Sequence, residues 1–432
     1  MNVARYSKQS NDWWKSAVFY QIYPRSFYDS NNDGIGDLKG VVEKLDHLND
    51  GNGGGLGIDA IWLSPFFPSP QADFGYDVSD YCDVDPIFGS LKDFDSLVSE
   101  SHKRRIRVVI DLVLNHTSDQ HPWFAESRQN RTNDKADWYV WVDPGPDGKP
   151  PNNWLAVFGG SAWTYETQRQ QYYLHNFLPE QPDLNWYNPE VREALAEVIR
   201  FWMNRGVDGF RLDTANYYAF DRQLRDNPKR QEGSEILEDG QEANPLSAYI
   251  TKYSKDRPEN LEFIKFLRKI FDEKGHITSI GEIGSGEGLD STLRLGADYV
   301  KRKDGLHLAY TFALLSEKMN ADYFDQVTEI TEEAIEDGWP CWSLSNHDCK
   351  RMMTRYKCFA EREGYQQMML LLMLSLRGTP IIYYGEEVDM QQYEISKSEL
   401  KDPQGIRFWP DLKGRDGCRL PSHRLHHAQR RG

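Results

Sequence analysis

Cysteine is scarce in this chain, with 5 residues among 432 and no Cys-x-x-Cys pair. So few cysteines, odd in number and without such a pair, argue against a disulfide framework and a cysteine-based zinc site. We therefore expect free thiols, which fits a reducing compartment such as the cytoplasm.

Long apolar segments are also missing. The longest apolar run covers residues 368–376, which is too short to cross a bilayer. Residues 1–15 are polar and lack the apolar core of a signal peptide. The sequence therefore predicts a cytoplasmic protein without a membrane span.

Basic residues are outnumbered, 51 against 67 acidic ones, which gives a net charge of −16. An acidic surface argues against nucleic acid or an anionic membrane as the main partner. It is compatible with a neutral or cationic small ligand. The 13 tryptophans are suited to stacking on sugar rings, but they are equally suited to filling a core. We expect a monomer or a homodimer that acts on small molecules.

The chain does contain a regular alternation of short apolar runs and helical patterns. Apolar runs without polar alternation are typical of strands buried on both faces of a parallel sheet. One of the helical patterns begins at Asn188-Pro189 and ends at Gly206. Eight strands interleaved with helices predict an α/β fold, a (β/α)8 TIM barrel. The predicted strands cover residues 19–23, 58–64, 107–114, 207–213, 277–283, 306–312, 342–345 and 380–384.

Two regions break this alternation. Residues 117–187 are rich in Trp, Pro, Gly and Asn and have no long helical period. We interpret them as an irregular domain inserted after the third strand, so that residues 1–116 and 188–419 form the barrel. Residues 420–432 are basic and without pattern, and we expect this tail to be disordered.

Acidic residues lie at or just after the ends of four apolar runs: Asp111, Asp213, Glu282 and Asp348. The reactive groups of a (β/α)8 barrel lie at the carboxyl ends of its strands, so we expect these acids to converge. Arg211 is on the same strand face as Asp213, and its charge favours the carboxylate form. Retaining glycoside hydrolysis needs one ionised and one protonated carboxyl group about 5 Å apart. Asp213 fits the first role and Glu282 the second, although a single strand-end acid is more often a helix cap or part of a structural ion pair.

Together these motifs closely resemble the α-amylase superfamily, glycoside hydrolase family 13, within its α-glucosidase and oligo-1,6-glucosidase group. The resemblance runs from about Trp13 to Arg419, with the motifs in the family's order. The matching segments are Trp-Trp-Lys at 13–15 with Val-Phe-Tyr-Gln-Ile-Tyr-Pro-Arg-Ser-Phe at 18–27, Asp-Leu-Val-Leu-Asn-His at 111–116, Gln-Pro-Asp-Leu-Asn at 181–185, Gly-Phe-Arg-Leu-Asp at 209–213, Gly-Glu-Ile at 281–283 and Ser-Asn-His-Asp at 345–348.

The resemblance implies a role for each of three carboxyl groups. Asp213 would be the nucleophile that forms a β-glucosyl-enzyme, Glu282 the general acid and base, and Asp348 the acid that stabilises the transition state. It also implies a set of residues that hold the terminal glucose: Asp77, His116, Arg211 and His347, with Tyr76 stacked beneath the sugar and Arg419 reaching the same subsite.

The implied activity is that of a retaining, exo-acting α-glucosidase that releases glucose from short oligosaccharides. In relatives, a threonine at the position of Thr214 goes with α-1,4 bonds and a valine with α-1,6 bonds. Alternatives on the same scaffold are a sucrose isomerase, a trehalose synthase or a transglucosidase, but the isomerase loop Arg-Leu-Asp-Arg-Leu is absent from the sequence. A non-catalytic family member would normally lack one of the three acids, and this chain keeps all of them.

A second motif predicts a metal site. Asp29, Asn31, Asp33 and Asp37 place oxygen ligands at the spacing of a calcium loop, and Gly34 lies at the sharp turn. The glutamate that closes an EF-hand is missing, so a solvated turn is the alternative. The resemblance favours a structural Ca²⁺ or Mg²⁺ ion, with Ile35 contributing its carbonyl oxygen. No organic cofactor is expected.

The sequence departs from the family pattern directly after Arg419. Relatives continue with Thr-Pro-Met-x-Trp, a last barrel helix and a C-terminal β-sandwich domain, whereas here the basic tail follows. We interpret the change as a truncation or a shift of reading frame. Uncovered apolar side chains each forfeit roughly 1.5–3 kcal/mol, so we expect the 432-residue chain to fold poorly or to be weakly active.

Overall fold

The computed structural model describes residues 11–231, 245–285, 287–318, 320–356 and 363–419. The predicted tail, residues 420–432, lies outside the described residues.

Eight parallel strands close into a barrel in the order β1-β11-β10-β9-β8-β7-β3-β2. The TIM barrel prediction is confirmed, and each predicted strand overlaps an observed one. The barrel strands are β1 Phe19–Ile22, β2 Ala60–Leu63, β3 Arg107–Leu112, β7 Gly209–Leu212, β8 Thr278–Glu282, β9 Leu308–Tyr310, β10 Cys341–Ser343 and β11 Thr379–Tyr383.

Helices connect the strands around the outside of the barrel. Shorter helices lie at the carboxyl-terminal side, in the loops that follow β1, β3, β10 and β11. In chain order the helices are α1 Pro24–Phe27, α2 Leu38–Leu48, α3 Leu91–Lys103, α4 Pro122–Ser127, α5 Pro189–Asn204, α6 Asn260–Asp272, α7 Leu289–Val300, α8 Ala321–Ile335, α9 Met352–Arg355, α10 Tyr365–Ser375 and α11 Pro403–Phe408.

Helix α5 shows how the local sequence sets these elements. The side chain of Asn188 accepts a hydrogen bond from the backbone N–H of Glu190, and Pro189 occupies the first turn, where its missing N–H costs nothing. Leu195 and Trp202 lie on the buried face that packs against the barrel. The chain then turns at Gly206, whose φ of +92° suits glycine.

Apolar side chains fill the barrel on both sides of its strands. One cluster lies inside the barrel and includes Phe19, Val109, Ile280, Leu308 and Ile381. A larger cluster lies between the strands and the surrounding helices. Because both strand faces are buried, the strands read as continuous apolar runs in the sequence.

The proposed inserted region, residues 117–187, carries a small antiparallel sheet of β4 Trp141–Val142, β5 Trp163–Glu166 and β6 Gln171–Leu174, in the order β4-β6-β5. It has its own apolar cluster around Trp154 and Trp163. Its last segment returns along the end of β3, where the N–H of Leu184 donates to the carbonyl of Asn115 at 2.9 Å. The insertion therefore lies over the carboxyl end of the barrel.

Helix α10 differs from the other long helices because its apolar residues are spread around the helix and not gathered on one face. It buries Met369 and Met373, yet Met368, Leu371 and Leu374 are about half exposed or more. Among the described residues, no helix is both long and apolar enough to cross a bilayer. Within the described ranges, Cys82, Cys341 and Cys418 are free thiols.

We predict that Gly209→Ala destabilises the barrel at the strand that carries Arg211. A Cβ atom at Gly209 would lie 2.5 Å from the backbone oxygen of Thr278, which belongs to the neighbouring strand. Such overpacking typically costs about 1–3 kcal/mol, so the midpoint of thermal unfolding should fall. Gly145→Ala is the matched control, since its Cβ would meet ordinary contacts at 3.5 Å. Equal unfolding midpoints for the two variants would contradict the prediction.

Candidate active site

A single guanidinium group, that of Arg211, organises the carboxyl end of the barrel. Arg211 on β7 lies beside Asp111 on β3 in the sheet register, and both side chains are fully buried. Its Nη1 donates to Asp111 Oδ1 at 2.9 Å and to Asp213 Oδ1 at 2.7 Å. Its Nη2 donates to Glu282 Oε2 and, at 3.3 Å, to the hydroxyl of Tyr310. One cation therefore binds three carboxyl groups.

The predicted nucleophile and the predicted acid meet at this guanidinium. Asp213 directly follows β7, and Glu282 is the last residue of β8. Since each of the two terminal nitrogens of Arg211 contacts one of them, the two carboxyl groups lie within the span of one guanidinium fork. This spacing suits the separation of about 5 Å that retaining glycosidases use.

Thr214 contacts both of these carboxyl groups. Its N–H donates to Glu282 Oε2 at 3.3 Å, and its hydroxyl donates to Asp213 Oδ2, also at 3.3 Å. The backbone of Thr214 has a φ of +41°, which L-residues adopt rarely and which occurs more often at functional sites.

Asp348 lies on the loop after β10, among positively charged groups. Its Oδ1 accepts from Arg419 Nη2 at 2.7 Å and lies 3.3 Å from Arg415 Nη1. Its Oδ2 lies 3.3 Å from His347 Nε2. Arg419 also donates from Nε to the carbonyl of His347 at 2.7 Å, so Arg419 fixes both the backbone and the carboxylate of this loop.

Aromatic rings form one wall of the site. Tyr76 stacks on His347 with ring centroids 5.4 Å apart and planes 12° apart, and its hydroxyl contacts His347 Nε2. The same hydroxyl donates to Asp111 Oδ2 at 3.2 Å, as does Trp62 Nε1 at 3.1 Å. Gln21 supports the stack from β1, with its Nε2 2.8 Å from His347 Nδ1.

His116 and Asp77 lie farther into the wall. His116 is buried, and its Nε2 lies 3.2 Å from the carbonyl of Tyr76 and 3.1 Å from Gln181 Nε2. The carboxylate of Asp77 accepts hydrogen bonds from the backbone N–H groups of Ala72 and Asp73 at 2.8 and 2.9 Å. These contacts hold the loop after β2 against the site.

Burial changes the proton affinity of Asp213 and Glu282. Desolvation raises the pKa of Asp213 despite the neighbouring Arg211, which is shared with Asp111 and Glu282. Desolvation also raises the pKa of Glu282, where Arg211 opposes the shift and the negative charges of Asp213 and Asp348 add to it. The sequence had suggested that the charge of Arg211 sets the proton affinity of Asp213. Burial opposes that charge and raises the pKa of Asp213, so the expectation was incomplete.

Asp348 behaves in the opposite way. Burial acts to raise its pKa, but the guanidinium groups of Arg419, Arg415 and Arg211 outweigh it and hold the pKa of Asp348 well below its ordinary value. Burial lowers the pKa of His116 to about 3 and that of His347 well below its ordinary value. Both imidazoles are therefore neutral near pH 7, while Asp348 is charged.

The candidate metal loop is an exposed turn between α1 and α2. Asp29 Oδ1 accepts from the N–H of Asn32 at 2.7 Å, and Asp33 Oδ1 accepts from the N–H of Ile35 at 2.8 Å. Asp37 caps α2 through the N–H of Gly40. Within the described ranges, no group of three or more His, Cys, Asp or Glu side chains is arranged to hold a metal ion. The donor chemistry of the loop still suits a hard cation, because it supplies only oxygen ligands.

Four residues of this site were not predicted from the sequence: Trp62, Asp73, Tyr310 and Arg415. Tyr310 and Trp62 lie within predicted strands, where aromatic residues more often fill a core. Asp73 and Arg415 lie in loops, and Arg415 pairs with Asp73 at 2.6 Å. The signal that could have found Arg415 is its place in the segment Gly-Arg-Asp-Gly-Cys-Arg at 414–419, which carries two arginines.

Comparison with known proteins agrees with this architecture. Residues 21–427 match the family described as "Alpha amylase, catalytic domain". A probable alpha-glucosidase of Rhizobium meliloti (strain 1021) is 52% identical over 412 residues, which cover 95% of this chain and 73% of that relative.

Solved structures agree as well. The crystal structure of the alpha-glucosyl transfer enzyme XgtA superposes with a TM-score of 0.89 at 49% identity and covers 95% of this chain and 75% of that one. The trehalulose synthase MutB from Pseudomonas mesoacidophila MX-45 gives 0.83 at 35% identity, with the same coverage. With a closed eight-stranded barrel, acids gathered at its carboxyl end and matches of this extent, the chain belongs to the α-amylase family of glycoside hydrolases.

Proposed function

We propose that this protein is a retaining, exo-acting α-glucosidase that releases glucose from short α-glucosides. The observation that carries the proposal is the fork of Arg211, which contacts Asp213 with one nitrogen and Glu282 with the other. A relative that is 52% identical and named a probable alpha-glucosidase supports the same activity.

In this mechanism Asp213 attacks the anomeric carbon while Glu282 donates its proton to the glycosidic oxygen of the departing sugar. The result is a β-glucosyl ester of Asp213. Glu282, now ionised, takes a proton from water, which attacks the ester and releases α-glucose. Asp348 remains charged throughout, because Arg419 and Arg415 stabilise its carboxylate, and it favours the positive charge that develops on the sugar ring.

The inner end of the site favours an exo mode of action. Tyr76, His116, His347, Arg415 and Arg419 are each less than a tenth exposed. Such buried side chains around Asp213 and Asp348 are suited to enclosing one terminal glucose, which is what an exo mode of action requires. Neutral His116 and His347 are suited to hydrogen bonds with the hydroxyl groups of that glucose, and Asp77 lies in the same wall of the site.

We further propose a preference for α-1,4 over α-1,6 bonds. Thr214 contacts both Asp213 and Glu282, so its side chain borders the bond that is cleaved. A single side chain of this kind shifts selectivity by roughly 1–3 kcal/mol. Transfer of glucose to another sugar is the second candidate function, and the 49% identity with XgtA favours it.

The loop of residues 29–37 is proposed to bind a structural Ca²⁺ or Mg²⁺ ion. Asp29, Asn31, Asp33 and Asp37 would hold the ion with their side-chain oxygens, and Ile35 with its carbonyl. Partial desolvation acts to raise the pKa of Asp29, but hydrogen bonds from the N–H groups of Gly34 and Asn32 outweigh it, so the carboxylate remains charged. The ion would stabilise the start of α2 and take no part in the reaction.

The function is tested by incubating the protein with maltose, isomaltose, sucrose and trehalose and following the products by NMR. We expect α-glucose as the first product and faster turnover of maltose than of isomaltose. Asp213→Asn should abolish turnover because the nucleophile is lost, and Gln223→Asn, an exposed change away from the site, is the control. Release of β-glucose would rule out retention, and equal rates on maltose and isomaltose would rule out the linkage preference.

The pH profile of kcat/KM should be a bell displaced towards neutral pH. Activity needs Asp213 ionised and Glu282 protonated, so it rises through the lower pKa of the pair and falls through the higher one. Burial raises the pKa of both groups, so both limbs should lie above the pKa of about 4 of free carboxyl groups. Glu282→Gln, assayed on an aryl glucoside with azide as nucleophile, should lack the alkaline limb. An alkaline limb near pH 4 in the unaltered enzyme would contradict the assignment.

Removal of divalent ions should lower the thermal unfolding midpoint without changing kcat. Asp33→Asn should weaken the response to added Ca²⁺ in differential scanning calorimetry, because one charged ligand is lost. Asp50→Asn, in a partly exposed turn outside the candidate loop, should respond as the unaltered protein does. An unfolding midpoint that chelation leaves unchanged would show that the loop is a turn without an ion.

A further inference from the structure

Asp73 joins three separate parts of the molecule beneath the candidate site. It lies on the loop after β2 and is 3% exposed. Its Oδ1 accepts from Arg415 Nη2 at 2.6 Å, and its Oδ2 accepts from Gln181 Nε2 at 3.3 Å. Arg415 belongs to the segment after β11, and Gln181 belongs to the inserted region. Asp73 therefore ties both to the barrel.

The guanidinium of Arg415 is shared among three carboxylates. Nε donates to Asp402 Oδ1 at 2.7 Å, and Nη2 donates to Asp73 at 2.6 Å. Nη1 lies 3.3 Å from Asp348 Oδ1, whereas Arg419 approaches the same oxygen to 2.7 Å. Phe158 packs against the guanidinium face, with its ring centroid 4.9 Å from the central carbon. Arg415 is thus held mainly by Asp73 and Asp402 and is farther from Asp348 than Arg419 is.

This distance matters for the reaction proposed above, on which the present inference rests. Each cation near Asp348 keeps its carboxylate ionised but also offsets part of the attraction that the carboxylate exerts on the positive charge of the sugar. The attraction between two charges grows as they approach, most strongly in a buried site. A second guanidinium in full contact with Asp348 would therefore weaken its effect on the transition state.

We propose that Asp73 is a positioning residue that keeps Arg415 from closing on Asp348. It acts through Arg415 and does not touch the substrate. Gln181 fixes the carboxylate of Asp73 from the other side, and the same amide lies 3.1 Å from Nε2 of His116. The Gln-Pro-Asp-Leu-Asn segment of the inserted region thereby helps to set the charge around Asp348.

The test is Asp73→Asn, which keeps the size of the side chain and removes its charge. We expect kcat on maltose to fall about 10- to 100-fold, the order of effect that small displacements of catalytic groups produce. KM should change less than kcat, because the substitution alters the charge around Asp348 and leaves Tyr76, His116 and His347 unaltered. Asp85→Asn is the matched control, since Asp85 is a buried carboxylate of the same loop that accepts from the N–H groups of Ser69 and Ile87. It should leave kcat unchanged.

A double-mutant cycle separates positioning from a general structural role. If Asp73 acts through Arg415, Asp73→Asn should cause no further loss of kcat in the Arg415→Gln background. A loss of the same size in both backgrounds would overturn the proposal. So would a kcat for Asp73→Asn within about twofold of the unaltered enzyme.

The cycle also covers the case in which Asp73→Asn alone does not fold. The double variant lacks both partners of the ion pair between Asp73 and Arg415, so its kcat is compared with that of Arg415→Gln. Equal values support the proposal, and a lower value for the double variant overturns it. If the unaltered enzyme turned over none of the four sugars, the proposed function would fail as well. Normal turnover together with an unaffected Asp73→Asn variant would overturn the positioning role alone.

Discussion

The buried guanidinium of Arg211 is the interaction on which the rest of the site depends. It is withdrawn from water entirely and has contacts with Asp111, Asp213 and Glu282. An isolated buried cation is costly, and the surrounding carboxylates offset that cost. One positive charge cannot balance three ionised carboxyl groups in the same buried space, so at least one of them keeps its proton near neutral pH. Glu282, next to both Asp213 and Asp348, is the group for which this protonation is useful.

The register of the barrel strands brings Arg211 and the carboxyl groups together. Asp111 and Arg211 are neighbours on adjacent strands, and Glu282 ends the next strand of the sheet. Much of this was predictable, because continuous apolar runs marked the eight strands and because strand-end acids of such a barrel point to one face. The contact of Arg211 with Glu282 was not predictable from the spacing of these residues in the sequence. The contact between Arg211 and Glu282 joins residues on different strands, and only the closed sheet brings them together.

The contacts between the loops could not be predicted from the sequence. Asp73 and Arg415 are 342 positions apart, and neither lies in a periodic segment that would mark it as buried. The family resemblance led to Arg419, which does contact Asp348, but not to Arg415 beside it. Arg415 contacts Asp73, Asp402 and Asp348 because the loops that carry these residues pack together. The local sequence of each loop does not indicate this packing. The loop of residues 29–37 is the reverse case, since its pattern is clear in the sequence and its ion is untested.

The proposed nucleophilic role of Asp213 is tested most directly by trapping the covalent intermediate. A 5-fluoro-α-glucosyl fluoride reacts readily but forms a glucosyl-enzyme that breaks down slowly, so the ester accumulates. After digestion, mass spectrometry should find the sugar on the peptide that contains Asp213, and an unlabelled competitor sugar should prevent the labelling. A sugar attached to another carboxyl group, or turnover of the reagent without any labelled peptide, would contradict the mechanism.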